Sequence, residues 1–111
     1  MSDTARVAEP LTLELDLPGP ADGRYVARAG VPFALRVRGD LGSPVPAEVL
    51  VLGAGVRATP VGRDVRLPAD ATFLVCCSAA GPAHLHVELL VGGEEMASAA
   101  AYLSVLPAPV V

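Results

Sequence analysis

The sequence of 111 residues contains no tryptophan and no lysine, and only two phenylalanines, two tyrosines and two cysteines. The lack of lysine, together with a net charge of -4, leaves no basic stripe for phosphate contacts, so we expect no binding of nucleic acid. The scarcity of aromatic side chains disfavours stacking on sugar rings. The core must therefore be aliphatic, and the 52% of hydrophobic residues consist mostly of valine, leucine and alanine.

Long apolar segments are also missing. No run approaches the roughly 18 uninterrupted apolar residues of a membrane span, and the first residues, MSDTARVAEP, lack the cationic start and apolar run of a secretory leader. We therefore expect no membrane association and a cytoplasmic location. At this length the chain forms one domain that can bury its own core without a metal or a disulfide.

Short alternating segments separated by turn residues run along the chain. The 11 glycines and 11 prolines are typical of many short elements rather than a few long helices. Residues 11–17 (LTLELDL) and 31–39 (VPFALRVRG) alternate with the period of two that predicts β-strands. If these strands are neighbours, the outward acids of the first lie near the outward arginines of the second and form a solvated sheet face.

The later segments carry more apolar residues on both strand faces. In residues 47–53 (AEVLVLG), Val49 and Val51 point inward only if Leu50 and Leu52 point outward, which indicates burial on both faces or a face covered by a partner. Residues 53–70 predict one broken edge strand or two short ones. Strands are then predicted over 71–78, 83–91 and 94–106, the last two joined at Gly92-Gly93. The alanine run leaves a helix open for the last segment, although the preceding glycine pair favours a strand.

Seven or eight short strands with turn signals about every ten residues resemble the immunoglobulin-like and fibronectin type III-like superfold over residues 10–107. The resemblance implies an all-β, Greek-key β-sandwich of seven to eight antiparallel strands, with tails at 1–9 and 108–111. It is one of architecture, since the Cys, Trp, Cys arrangement of immunoglobulin domains is absent and no tyrosine stands at the usual corner. It implies a binding or spacer role rather than a particular activity.

The two cysteines and two histidines lie within eleven residues of one another. Adjacent residues of a strand point to opposite faces, so Cys76 and Cys77 cannot ligate one ion or easily form a disulfide with each other. Cys77 falls on the more apolar face and is predicted to be a buried thiol. In the next strand, His84, His86 and Glu88 are predicted to point outward.

Two histidines two residues apart on a strand can supply two ligands to zinc or copper. Cys76 can join His84 and His86 only if the two strands pair directly, and in the immunoglobulin-like arrangement these strands belong to different sheets. We therefore expect no metal and no other cofactor, and a metal or redox role for His84, His86 and Cys76 remains the alternative hypothesis. No orienting third group or oxyanion pocket accompanies the thiol, so we expect no enzymatic activity.

A binding face is the interpretation that the pattern favours. In the immunoglobulin-like arrangement, the third, sixth and seventh main strands share one sheet, so their outward residues form one surface. This surface would contain Leu50, Leu52, His84, His86, Glu88, Leu90 and Tyr102, with Met96 beside them. An apolar patch edged with polar groups is typical of protein contact. We predict association with a protein partner or with a second copy, and a small-ligand or glycan-binding sandwich is a further alternative.

Overall fold

The computed structural model describes residues 10 to 109, and within this range the chain forms β-strands separated by turns. The nine strands are β1 (Leu11–Leu15), β2 (Arg24–Arg28), β3 (Phe33–Gly39), β4 (Val45–Leu52), β5 (Val56–Thr59), β6 (Gly62–Leu67), β7 (Ala69–Cys77), β8 (Gly81–Val91) and β9 (Glu94–Leu106). Among the described residues, no helix has the length and hydrophobicity needed to cross a membrane. The predicted tail at 1–9, and residues 110 and 111 of the predicted C-terminal tail, lie outside the described range.

The strands form two sheets that pack face to face. One sheet has four strands in the order β1-β3-β7-β5, and the other has five in the order β2-β9-β8-β4-β6. This arrangement confirms the predicted all-β sandwich and places β4, β8 and β9 in one sheet, as the sequence predicted. The structure has nine strands in the described range rather than seven or eight, because residues 53–70 form two short strands and β2 is additional.

Strand β2 departs from the predicted antiparallel arrangement, because it pairs parallel with β9, from Arg24 opposite Tyr102 to Arg28 opposite Leu106. The segment between β1 and β2 carries the chain from one sheet to the other. No hairpin therefore joins β2 to β9, and β2 takes the free edge of the sheet in the parallel direction.

The inward side chains of both sheets form an aliphatic core. The largest fully buried side chains are Phe73, Leu35, Leu67, Leu85, Leu89 and Leu103. Val49, Val51 and Cys77 are also buried, as the alternation predicted. Inward and outward positions alternate in both sheets, so the outward positions of each sheet form a separate surface.

The hairpin between β8 and β9 is a two-residue turn. Gly92 and Gly93 have φ angles of 61° and 82°, the left-handed conformation that a type I′ turn requires at both positions. The turn joins β8 to the full-length strand β9, which confirms the strand prediction for the last segment. Strand β1 ends at Leu15 rather than at residue 17, ahead of the proline-rich segment.

Candidate functional site

The outward side chains of the five-stranded sheet form a surface that we call the outer face. Strand β8 is the middle strand of this sheet, and it contributes His84, His86, Glu88 and Leu90 to the outer face. His84 is exposed, and the other three are half-buried. The predicted outward row on this strand is therefore the central row of the surface.

Strand β4 lies beside β8 and adds two leucines to the outer face. Leu50 is opposite Glu88, and Leu52 is opposite His86. Leu52 is 38% exposed, whereas Leu50 is half-buried because its side chain lies over Gly62 of β6. A Cβ atom on Gly62 would lie 2.7 Å from Leu50 Cδ2, so the missing side chain at Gly62 makes room for Leu50.

Strand β9 lies on the other side of β8 and contributes one aromatic ring among small residues. Tyr102 is opposite His84, and their ring centroids are 6.0 Å apart. Ala100 is opposite His86, and Ser98 is opposite Glu88. The central row is thus bordered by leucines on one side and by alanine and serine on the other.

A β-bulge near the start of β9 changes the side of the sheet to which the first side chains of this strand point. Leu89 is opposite Ala97, but Leu90 is opposite Glu95, so Met96 has no partner in the register. The extra residue shifts Glu95 onto the row of Leu90, on the outer face. Met96 is 51% exposed.

The bulge brings Glu95 close to two residues of the central row. His86 Nε2 lies 3.3 Å from Glu88 Oε2. One potential ligand atom from each of His86, Glu88 and Glu95 lies within 4.8 Å of the others. Glu95 was not among the candidate residues predicted from the sequence, and strict alternation along β9 would place it on the inward side.

The predicted set of His84, His86 and Cys76 does not come together. Cys76 lies on β7 in the four-stranded sheet, whereas both histidines lie on β8 in the other sheet. Their outward faces therefore point away from each other, as the immunoglobulin-like arrangement predicted. Cys76 is half-buried and lines a cleft of about 460 Å³ together with Arg57 and Ser78.

The two cysteines differ in accessibility, and this difference predicts their chemistry. Cys77 is 1% exposed, and burial raises the pKa of its thiol, which keeps it protonated and unreactive. We expect an alkylating reagent to modify Cys76 in the native protein and both cysteines in denaturant, as measured by peptide mass spectrometry. The variant Cys76→Ser provides the control. Rapid modification of Cys77 in that native variant would show that the core opens easily.

The outward surface of the four-stranded sheet is charged by comparison. Arg36 binds Asp70 through contacts as short as 2.6 Å and lies 3.5 Å from Glu14. These contacts raise the pKa of Arg36, chiefly through its hydrogen bond to Asp70, and the same bond lowers the pKa of the Asp70 carboxyl. The pairing of Glu14 with Arg36 across β1 and β3 confirms the solvated face predicted from these two strands.

Comparison with known proteins shows similarity at the level of the fold. No protein-family model matches this chain, and a search of curated proteins finds no relative. Among solved structures, the chain is similar to WR4, a member of the MSP (major sperm protein) family from C. elegans, with a TM-score of 0.59 and 8% sequence identity. The match covers 91% of this chain and 100% of WR4. This likeness shows an immunoglobulin-like β-sandwich fold and no more.

Proposed function

We propose that this chain is a non-enzymatic association module that binds a second copy of itself through the outer face of the five-stranded sheet. The observation that carries the proposal is the pairing of Leu50 and Leu52 with Glu88 and His86 on the two adjacent strands β4 and β8. Apolar and polar groups lie there in two parallel rows, with Tyr102 beside them. An apolar patch bordered by polar groups is typical of a protein interface.

The contrast between the two sheet surfaces supports the choice of this face. The four-stranded sheet carries an ion-pair network around Arg36 and Asp70, and burial of such charges in an interface is costly. The centre of the outer face instead carries two leucines on β4 beside one imidazole and one carboxylate on β8. Burial of the outer face in an interface therefore has a lower desolvation cost, and buries more apolar area, than burial of the surface of the four-stranded sheet.

The leucine row on β4 and the row of His86 and Glu88 on β8 form a surface that is self-complementary under a twofold rotation. Leu52 and His86 lie side by side, as do Leu50 and Glu88, two residues further along their strands. A twofold axis in the interface, perpendicular to the strands and passing between these two pairs, places each His86 opposite the partner copy's carboxylate. The same axis places Leu50 of one copy opposite Leu52 of the other. Such an arrangement satisfies the symmetry of an isologous dimer.

The size of the face limits the strength of the association. The five strands have between 5 and 13 residues; spaced about 4.8 Å apart and averaging about 26 Å in length, they cover roughly 600 Å². Two copies would then bury about 1,200 Å² in total, the lower limit of specific, stable interfaces. Apolar burial contributes about 25 cal/mol per Å², from which the loss of translational and rotational freedom must be subtracted. We therefore expect a weak, concentration-dependent dimer.

The double substitution Leu50→Ser and Leu52→Ser tests the proposal. Light scattering over a concentration series should show that the parent chain approaches twice the monomer mass, while the variant remains monomeric. Neither leucine belongs to the buried core, so the variant should keep its fold. The matched control is Leu74→Ser, because Leu74 is 52% exposed on the other sheet, and this variant should associate like the parent.

Two outcomes would contradict this proposal. A parent chain that remains a monomer at high concentration would exclude self-association, and equal weakening by Leu74→Ser would show that contact is nonspecific. Circular dichroism of the double variant separates loss of contact from loss of fold. Unfolding of that variant would place the leucines in the core instead.

A further inference from the structure

We propose that His86, Glu88 and Glu95 form a binding site for a divalent transition-metal ion, with zinc as the ion that fits their chemistry. The site would use the His86 imidazole and one carboxylate oxygen from each glutamate, the three potential ligand atoms that lie within 4.8 Å of one another. This inference goes beyond self-association and does not depend on it.

The distances suit a tetrahedral ion. Ligands bound to zinc at about 2.0–2.1 Å in tetrahedral geometry lie roughly 3.3–3.4 Å apart. His86 Nε2 and Glu88 Oε2 are separated by 3.3 Å, so they already span one edge of such a tetrahedron. Glu95 is exposed at the hairpin end, where its side chain is free to change rotamer and move its carboxylate toward the other two ligands.

The positions of the three ligands follow from the backbone. His86 and Glu88 lie two residues apart on the central strand, so their side chains leave the same face. Glu95 reaches that face because the bulge at Met96 shifts its facing. Bulges commonly re-aim a side chain beside a functional site, and this bulge supplies the third ligand.

The residues around the cluster leave space for an ion. Ser98 is opposite Glu88, and Ala100 is opposite His86, so the β9 side of the cluster carries only small side chains. Leu50 and Leu52 on the β4 side reduce access of water and strengthen the attraction between an ion and the carboxylates. A fourth coordination position faces outward, where water or a group from another molecule can bind.

The donor set selects the class of ion. Magnesium and calcium take oxygen ligands, and magnesium retains several waters, whereas an imidazole nitrogen suits zinc and its neighbours in the transition series. Two carboxylates balance the charge of a divalent ion, which removes their mutual repulsion. The absence of a thiolate from the set disfavours the softer Cu(I).

The zinc site differs from the histidine pair that the sequence suggested. His84 lies next to Tyr102 and is not one of the three clustered residues. Cys76 is on the other sheet. Substitutions at His84 and Cys76 therefore distinguish the two hypotheses.

Titration of tag-free, metal-free protein with zinc, followed by calorimetry, tests the site. We expect one zinc ion per chain and no saturable heat with magnesium. Glu95→Gln should weaken zinc binding by at least about tenfold. Loss of a residue that only hydrogen-bonds a metal ligand already lowers affinity by about 10- to 100-fold, and Glu95 is a proposed direct ligand. Glu94→Gln is the matched control, since Glu94 is opposite Val91, which packs against the core rather than on the outer face. The zinc affinity of this variant should stay within about twofold of that of the parent.

His84→Gln and Cys76→Ser should also retain zinc binding, and cobalt provides a spectroscopic check. Cobalt at this site should show visible d–d bands without the near-ultraviolet charge-transfer band of a thiolate ligand. Absence of saturable zinc uptake by the parent, or uptake that survives Glu95→Gln but is lost in His84→Gln, would overturn the proposal. Light scattering at each zinc concentration reports association separately, so failure of one proposal does not obscure the other.

Discussion

Replacement of Phe73 by alanine should lower the free energy of unfolding by about 3–5 kcal/mol. Phe73 is 1% exposed and lies on β7, an inner strand of the four-stranded sheet, opposite Leu35 of β3. Removal of the ring leaves a cavity in a rigid aliphatic core that can collapse only partly, so lost burial and lost packing add. Urea unfolding followed by circular dichroism measures the change.

The neighbouring residue provides the control for this prediction. Leu74 is 52% exposed and points to the opposite face of the same strand, so Leu74→Ala should change the free energy of unfolding by less than about 0.5 kcal/mol. Similar losses of unfolding free energy in the two variants would contradict the inward position of Phe73 and the outward position of Leu74 on β7.

Strand facing could be predicted where one side of a strand is uniformly apolar. Leu85, Val87 and Leu89 alternate with polar residues, and a shift of one residue would bury the histidines and expose the leucines. Such a shift is too costly to occur, so the pattern fixes the register. The predicted outward positions of His84 and His86 follow from the same constraint.

Strand β2 could not be predicted in this way. Its sequence, RYVAR, places three apolar residues in succession between two arginines, so no alternation distinguishes its faces. Its pairing with β9 is parallel and nonlocal, and neither the partner nor the direction is encoded in a turn. Only the packed sandwich determines where this segment lies.

The third residue of the proposed metal site was missed for a related reason. Residues 94–96 are Glu, Glu and Met, and none of them identifies an inward face, because all three are exposed. An extra residue in the strand therefore leaves no trace in the hydrophobic pattern, although it reverses the facing of Glu95. Prediction of site residues next to a hairpin therefore requires the backbone register as well as the sequence.

A single added methyl group at Gly53 should destabilise the fold and distort the outer face together. The Cβ atom of Gly53→Ala would lie 2.6 Å from the backbone oxygen of His84 and 3.3 Å from Val56 Cβ. A backbone oxygen fixed in the central strand cannot rotate away, so the end of β4 must move away from β8. We expect a loss of about 1–3 kcal/mol in the free energy of unfolding, as for other cases of overpacking, measured by urea unfolding.

Gly62→Ala is the informative comparison, because its added Cβ would lie at a similar distance, 2.7 Å, from the tip of the Leu50 side chain. A side chain tip can change rotamer, and alanine is less flexible than glycine in the unfolded chain, so the loss should stay below about 1 kcal/mol. Equal losses in the two variants would show that the approach of β4 to the His84 carbonyl is not rigid.

The movement in Gly53→Ala also shifts Leu52 relative to His86, so this variant should associate more weakly than its loss of stability alone explains. Its effect on the proposed dimer thus depends on the same β4–β8 register that aligns the leucine row with the histidine and glutamate row.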